Sequence, residues 1–262
     1  MPHELGRVQL VGAGPGAADL LTVRALRAIE GAQALLYDAL VSPDVLALAP
    51  AACLKIQTGK RAGRTSMPQA TINRLMLRLA RRGLRVVRLK GGDPSVFGRV
   101  GEEAAFLHAH GVATEVVPGV TAASAAAAQF GFPLTHRGEA RRLLVATATV
   151  GEGALAGGGW AAGADPETTL ALYMGRDQLA AVAERLIAEG RSPQTPALAV
   201  ENAGRPDARA IPATLASLAA DVAAAAPDGP VVVIVGEVVA QARRLLMPII
   251  CTNRTAVGKA QA

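Results

Sequence analysis

The sequence predicts an α/β fold: two α/β domains with a ligand cleft between them. Three observations predict it. Short runs rich in Val, Leu and Ile alternate with helix-length segments over the first half, as a parallel sheet with crossover helices requires. A second series of such runs recurs beyond residue 140. Four of the runs end in glycine-marked breaks, Gly12-Ala13-Gly14-Pro15-Gly16, Gly91-Gly92-Asp93-Pro94, Tyr173-Met174-Gly175 and Glu201-Asn202-Ala203-Gly204, two in each half. Ligands in such folds sit beyond the carboxyl ends of strands and between domains. The expected division is an N-terminal domain at 1–118, a C-terminal domain at 119–250 with a linker region at about 119–140, and a flexible tail at 251–262.

In chain order, 8–11 is a short buried strand, and the turn after it is rich in glycine. A nucleotide site is one reading of such a turn. The dinucleotide fingerprint, however, needs glycine where Ala17 stands, and Pro15 lacks an N–H that a phosphate cradle would use. Asp19 is a candidate N-cap for the helix that follows. A second strand at 34–37 ends at Asp38, either a solvated terminus or an acid facing the cleft. A short helix at 40–48 leads to a third strand at 54–57. That strand runs into the basic loop of Lys60, Arg61 and Arg64, which is either solvated or turned to the same crevice. The spacing of Ile72, Leu75, Met76 and Leu79 predicts an amphipathic helix over 68–82.

The strand from Arg85 breaks at Gly91-Gly92, where absent Cβ atoms permit a tight turn or close approach to a ligand. Asp93 and Pro94 suit a helix cap and first turn. A helix at 100–110 carries Glu102 and Glu103 near its start, where acids favour the dipole. A fifth strand at 113–117 ends at Pro118-Gly119, and 121–129 is a small-residue helix. Strands follow at 142–149, 168–174 and 196–201, the last paired as a hairpin with 208–211, and a final strand is expected at 230–235. The Gly- and Ala-rich stretch 151–166 reads as a pliable connection. A helix stripe is marked by Leu179, Val182 and Leu186.

Composition narrows the function. The chain has 262 residues, is 51% hydrophobic but only 3% aromatic, and carries a net charge of +6. Without basic runs interleaved with aromatics, nucleic acid is not the expected partner; an anionic small molecule and a merely arginine-rich composition both stay open on charge alone. The opening residues show no secretory signal, and no apolar run reaches the ~20 residues needed to span a bilayer. The two cysteines, Cys53 and Cys251, make no disulfide framework, so a cytoplasmic location is expected. Neither they nor the four histidines have metal-ligand spacing, and no metal is expected.

Ten stretches together resemble the tetrapyrrole methylase family: VGAGPG, LLTVRAL, LYDALVSP, GKRAGR, SMPQATIN, VVRLKGGDPSVFGR, EVVPGVTAA, PLTHRG, YMG and PVVVIVGEVV. The resemblance runs from about Val8 to Val239. It implies a class III methyltransferase fold of two α/β domains, a homodimer, and S-adenosylmethionine as cofactor. The implied cofactor-binding residues are Pro15, Gly91, Gly92, Asp93, Val96, Thr121, Ala122, Met174 and Ala203. The implied reaction is methylation of uroporphyrinogen III at C2 and C7 to give precorrin-2. By matching motif, Asp38 is the implied proton acceptor and Lys60 the proton donor. Arg99 is a rival for assisting deprotonation, although a guanidinium is better suited to clamping a carboxylate. Glu102, one turn on, would orient Arg99. Because the implied substrate is an octacarboxylate, Lys60, Arg61, Arg64, Arg99, Arg137 and Arg141 are expected to ring the cleft mouth. Met174 is expected to touch both cofactor and substrate.

Departures from the family pattern at Ser95, Val100, 129–132 and 146–149 lie outside the cofactor set and bear on substrate choice. One alternative is methylation of a different tetrapyrrole. Another is a nucleotide-binding protein without methyl transfer.

Overall fold

The computed structural model describes residues 6–59, 67–150, 154–155 and 159–242. Its first half is a five-stranded parallel sheet in the order β3-β2-β4-β1-β5, with β1 at Val8–Gly12, β2 at Ala34–Tyr37, β3 at Leu54–Gln57, β4 at Val86–Lys90 and β5 at Thr114–Val117. The connecting helices are α1 (Val23–Glu30), α2 (Pro43–Ala47), α3 (Gln69–Ala80) and α4 (Val100–Ala109). The periodic helix expected over 68–82 is thus present as α3, with Ile72, Met76 and Leu79 buried.

Strand order explains where a crevice must lie. The chain leaves β1 toward β2 and leaves β4 in the opposite direction, toward β5. Right-handed crossovers then put the following helices on opposite faces. Accordingly α1 packs with Val87 and Leu89 on one face of β4, and α4 packs with Val86 on the other. The opening between β1 and β4 is where the two glycine turns sit.

The second half is a mixed five-stranded sheet ordered β11-β10-β12-β9-β6. Its strands are β6 (Arg142–Thr147), β9 (Thr168–Tyr173), β10 (Pro196–Glu201), β11 (Arg209–Thr214) and β12 (Val231–Val235). β6 runs parallel to β9, and the other pairings are antiparallel. A two-stranded ribbon joins β7 (Thr149–Val150) to β8 (Ala154–Leu155). Helices α6 (Trp160–Ala164), α7 (Leu179–Ala188) and α8 (Leu218–Ala225) pack on one face. The other face receives α5 (Ala122–Phe130), whose Ala123, Ala126 and Ala127 pack with Ala171, Leu198 and Ile234. The first helix after β5 therefore belongs to the core of the second sheet.

Several expectations are corrected. Asp19 lies in a 3-10 turn at Ala18–Leu20 and caps nothing; Thr22 caps α1, its Oγ1 accepting the Ala25 amide at 3.1 Å. The helix expected from residue 40 begins at Pro43 after the cap Ser42, because Pro fits only the first turn. Asp93 starts no helix: its Oδ1 accepts the Ser95 amide at 2.7 Å in an isolated turn, and α4 begins at Val100. Within 151–166, expected as a connection, α6 is formed and buries Trp160. The tail at 251–262 lies outside the described residues.

Candidate functional site

Three strand ends of the first sheet meet with no room for side chains. A Cβ on Gly12 would lie 2.7 Å from Gly92 O and from the Gly119 backbone, and a Cβ on Gly119 would lie 2.3 Å from Gly92 O. The first two turns also pair directly. Gly92 donates its amide to Gly14 O at 2.7 Å, Gly14 donates back to Gly92 O at 3.2 Å, and Ala13 donates to Lys90 O at 2.7 Å. Gly92 is left-handed at φ 68°, which glycine alone adopts without strain. A Cβ there would meet nothing nearer than Thr121 Cα at 4.0 Å. One face of Gly92 is thus open, floored by bare backbone.

This geometry weighs against phosphate. Ala13 and Gly14 spend their amides on the β4 turn, Ala17 donates to Gly204 O at 2.9 Å, and Pro15 has no N–H. The turn therefore lacks the ring of free donors that a phosphate cradle uses.

The β10 turn closes on the first turn from the second half. A Cβ on Gly204 would strike Pro15 Cγ at 2.2 Å, and one on Gly16 would strike Arg205 Cγ at 2.3 Å. Gln129 holds that turn in place: its Oε1 accepts the Gly204 amide and its Nε2 donates to Arg205 O, both at 2.9 Å. Ala203, beside it, is buried. The Arg205 guanidinium reaches Leu40 O at 2.8 Å, and Ser42 donates to Gly16 O at 2.6 Å. Gln129, one of the departures from the family pattern, is thereby a fastening residue.

Asp38 and Asp93 are both half-buried. Asp38 accepts the Leu40 amide at Oδ1 and the Gly91 amide at Oδ2, each at 3.0 Å. Besides the Ser95 amide, Asp93 accepts the Gly119 amide at 2.9 Å through Oδ2. Both carboxylates stitch strand ends together, and each keeps lone-pair positions unused, since a carboxylate offers about four.

Thr121, ahead of α5, shares a 2.6 Å hydrogen bond with the Tyr173 hydroxyl, which also accepts the Ala123 amide at 2.9 Å. Tyr173 ends β9, and Met174 after it is left-handed (φ 51°) and 56% exposed. Val96 is half-buried in the loop after Asp93, and Ala122 half-buried at the start of α5. Arg99 forms a two-pronged pair with Glu102, Nε to Oε1 at 2.8 Å and Nη2 to Oε2 at 2.7 Å. That pair raises the Arg99 pKa and holds the Glu102 carboxyl below its ordinary range. Arg137 is exposed on the turn at 136–140, and Arg141 pairs with Glu167 at 2.7 Å. Lys60, Arg61 and Arg64 lie outside the described residues.

Glu103 lies in the first turn of α4, as expected, and is also wholly buried, 0% exposed. The pleat of β4 puts Arg88 and Lys90 on the face covered by α3 and α4. Glu103 meets Lys90 Nζ at 2.9 Å and Arg88 Nε at 3.2 Å, and Gln69 Nε2 donates to it at 3.0 Å. One carboxylate thus faces two buried cations directly behind the Gly91–Asp93 turn. Burial lowers the Lys90 pKa and Arg88 lowers it further, while Glu103 and Asp38 oppose the shift.

A group with a depressed cationic pKa binds its proton less well folded than unfolded, so its destabilising effect fades as pH rises toward the unfolded value. Lys90→Met is therefore expected to raise the melting temperature at neutral pH. Its advantage over the wild type should shrink as pH approaches 10.5, in thermal melts of both proteins at each pH.

Among the described residues no group of acids, histidines and cysteines has the makings of a metal site, and no helix is long and apolar enough to cross a membrane. A cavity of about 340 Å³ between α6 and the edge strand β6, lined by Arg142, Leu144 and Asp165, includes none of the turn residues above.

The family model for tetrapyrrole (corrin/porphyrin) methylases matches residues 7–219. The chain is 45% identical to a uroporphyrinogen-III C-methyltransferase of Paracoccus denitrificans, over 93% of this chain and 85% of that one. It is 47% identical to a siroheme synthase of Azotobacter vinelandii, over 91% of this chain and 51% of that one. The chain thus spans about half the length of the siroheme synthases it matches. The crystal structure of uroporphyrin-III C-methyl transferase from Thermus thermophilus complexed with S-adenyl homocysteine superposes with a TM-score of 0.75 at 43% identity, covering 89% of this chain and 93% of that one.

Proposed function

We propose that this chain, which belongs to the tetrapyrrole (corrin/porphyrin) methylase family and has its class III methyltransferase fold, is an S-adenosylmethionine-dependent C-methyltransferase. Its substrate is uroporphyrinogen III, methylated at C2 and C7 to give precorrin-2. One observation carries the reading. The Gly91–Asp93 turn, central to the resemblance, lies where β1, β4 and β5 converge, and the loop after it touches the second sheet beside Met174: the Phe97 and Tyr173 rings are 5.6 Å apart.

The open face of Gly92, without Cβ and without a phosphate cradle, fits an uncharged nucleoside lying against backbone. Pro15, Gly91, Gly92, Asp93, Val96, Thr121, Ala122, Met174 and Ala203 would hold it there. When bound, the cofactor supplies an electrophilic methyl on sulfonium. The protein's work is alignment and exclusion of water. Met174 supplies an apolar wall. Asp38, fixed by two backbone amides, is oriented to take the proton that the methylated pyrrole carbon framework must lose, and Lys60 returns a proton. The unit boundaries at 118 and 119, the homodimer and a cytoplasmic location belong to the same proposal.

Arg99, with Glu102 as its internal partner, binds a substrate carboxylate, and Arg137 together with Arg61 and Arg64, the latter two outside the described residues, are its proposed co-binders of the other carboxylates. Charge-assisted pairs are worth about 1.5–3 kcal/mol, so Arg99→Leu is expected to raise the KM for the tetrapyrrole by about ten- to a hundredfold. Affinity for S-adenosylhomocysteine, measured by calorimetry, should stay unchanged.

The deciding experiment is incubation with uroporphyrinogen III and S-adenosylmethionine, followed by product mass. Two added methyl groups are expected. No added methyl with this substrate, but transfer to another tetrapyrrole, would favour the second reading, which rests on Ser95 lying exposed in the loop beside Phe97.

A further inference from the structure

Eight large hydrophobic residues are exposed among the described residues, and three of them, Leu40, Phe97 and Met174, stand just past the carboxyl ends of β2, β4 and β9. Leu40 Cβ lies 2.8 Å from where a Gly91 Cβ would be, and the Phe97 ring packs at 5.6 Å and 53° against Tyr173, the neighbour of Met174. An apolar rim therefore runs past the Gly91–Asp93 turn, Leu40 touching it on one side and Phe97 reaching the second sheet beside Met174.

Phe97 is held on this rim against its own backbone preference. Its φ is 54°, and that of Arg99 is 56°. A bulky residue in the left-handed region is rare and costs energy. The distortion presents a ring that is 40% exposed, with a guanidinium two residues on that is 55% exposed. A flat apolar face two residues from a guanidinium held by Glu102 suits an apolar, electron-rich ring carrying carboxylates at its edge.

Resting on the methyltransferase reading above, we propose that Phe97 is a substrate-binding residue, packing against a pyrrole face of the tetrapyrrole while Arg99 takes a carboxylate of the same ring. Leu40 widens the platform. A pyrrole methylated on carbon becomes cationic until its proton leaves, and an aromatic face stabilises such a cation. Phe97 therefore serves both the incoming ring and the one that forms.

The test uses the full chain with Phe97→Gly and Phe97→Tyr. Glycine removes the ring and relieves the left-handed backbone, whereas tyrosine keeps the aromatic face. The expected result for Phe97→Gly is a KM for uroporphyrinogen III raised about tenfold, S-adenosylhomocysteine affinity within twofold of wild type, and a melting temperature at or above wild type. Phe97→Tyr should keep the KM within about threefold. An unchanged KM in Phe97→Gly, with an active wild type, would overturn the assignment and leave the methyltransferase reading standing. A lowered melting temperature with unchanged KM would show the ring to be a strut against Tyr173 instead. Weakened S-adenosylhomocysteine binding would move Phe97 to the cofactor and likewise overturn it. A wild type that methylates no tetrapyrrole would fell both readings together.

Discussion

Glu103→Gln is expected to cost about 3–5 kcal/mol of folding free energy, the loss typical when a buried charge network is broken at one partner. The carboxylate is completely buried and is the acidic partner of both Arg88 and Lys90. A carboxamide of nearly the same shape keeps the packing but strands two cations in a region 5% exposed or less. Against a total stability of roughly 5–15 kcal/mol, such a loss is large. It would appear as a lower urea midpoint with an unchanged slope. The asymmetry with Lys90→Met is the sharper check. Removing the surplus cation leaves the Arg88–Glu103 pair intact, so two substitutions 2.9 Å apart should move stability in opposite directions.

Gly119→Ala is expected to lower kcat/KM for methyl transfer on the order of a hundredfold, because a displacement of about 1 Å costs that much rate in a preorganised site. The added methyl would sit 2.3 Å from Gly92 O and 3.0 Å from Gly12 Cα. Both are backbone, so no side chain can swing aside; the strand ends must separate and carry the Gly92 face with them. Gly138→Ala is the control. That glycine is left-handed at φ 85° with open space around it, so the substitution should cost about 1 kcal/mol in backbone strain and leave kcat/KM unchanged.

The alternation of β-branched runs and helical stripes made both sheets legible in the sequence, since each run is buried on a pleated face or a helix stripe. The glycine breaks were legible too, because only glycine tolerates the close approach seen at Gly12 and Gly119 and adopts the left-handed turn at Gly92 without strain. Features set by long-range geometry were not. An acid in the first turn of a helix reads as a dipole partner, and only the pairing of β4 beneath α3 and α4 turns Glu103 into the hub of a buried charge cluster. Gln129 reaches a turn 75 residues away, and no local pattern announces that. Asp19 lost its capping role to Thr22 through a single 3-10 turn, a detail below the resolution of periodicity. Phe97 was visible in its motif, but its outward pose depends on a left-handed backbone that propensity argues against.

The peptide from Ala13 to Ala17 is tied on one side to its own sheet through Gly92 and on the other to the opposite sheet through Gly204. It is a shelf and a rivet at once. If the halves breathe, the Ala17 to Gly204 tie parts while the Gly14–Gly92 pair travels with the first sheet. The shelf then loosens at its Pro15 end and keeps its Gly92 floor whole.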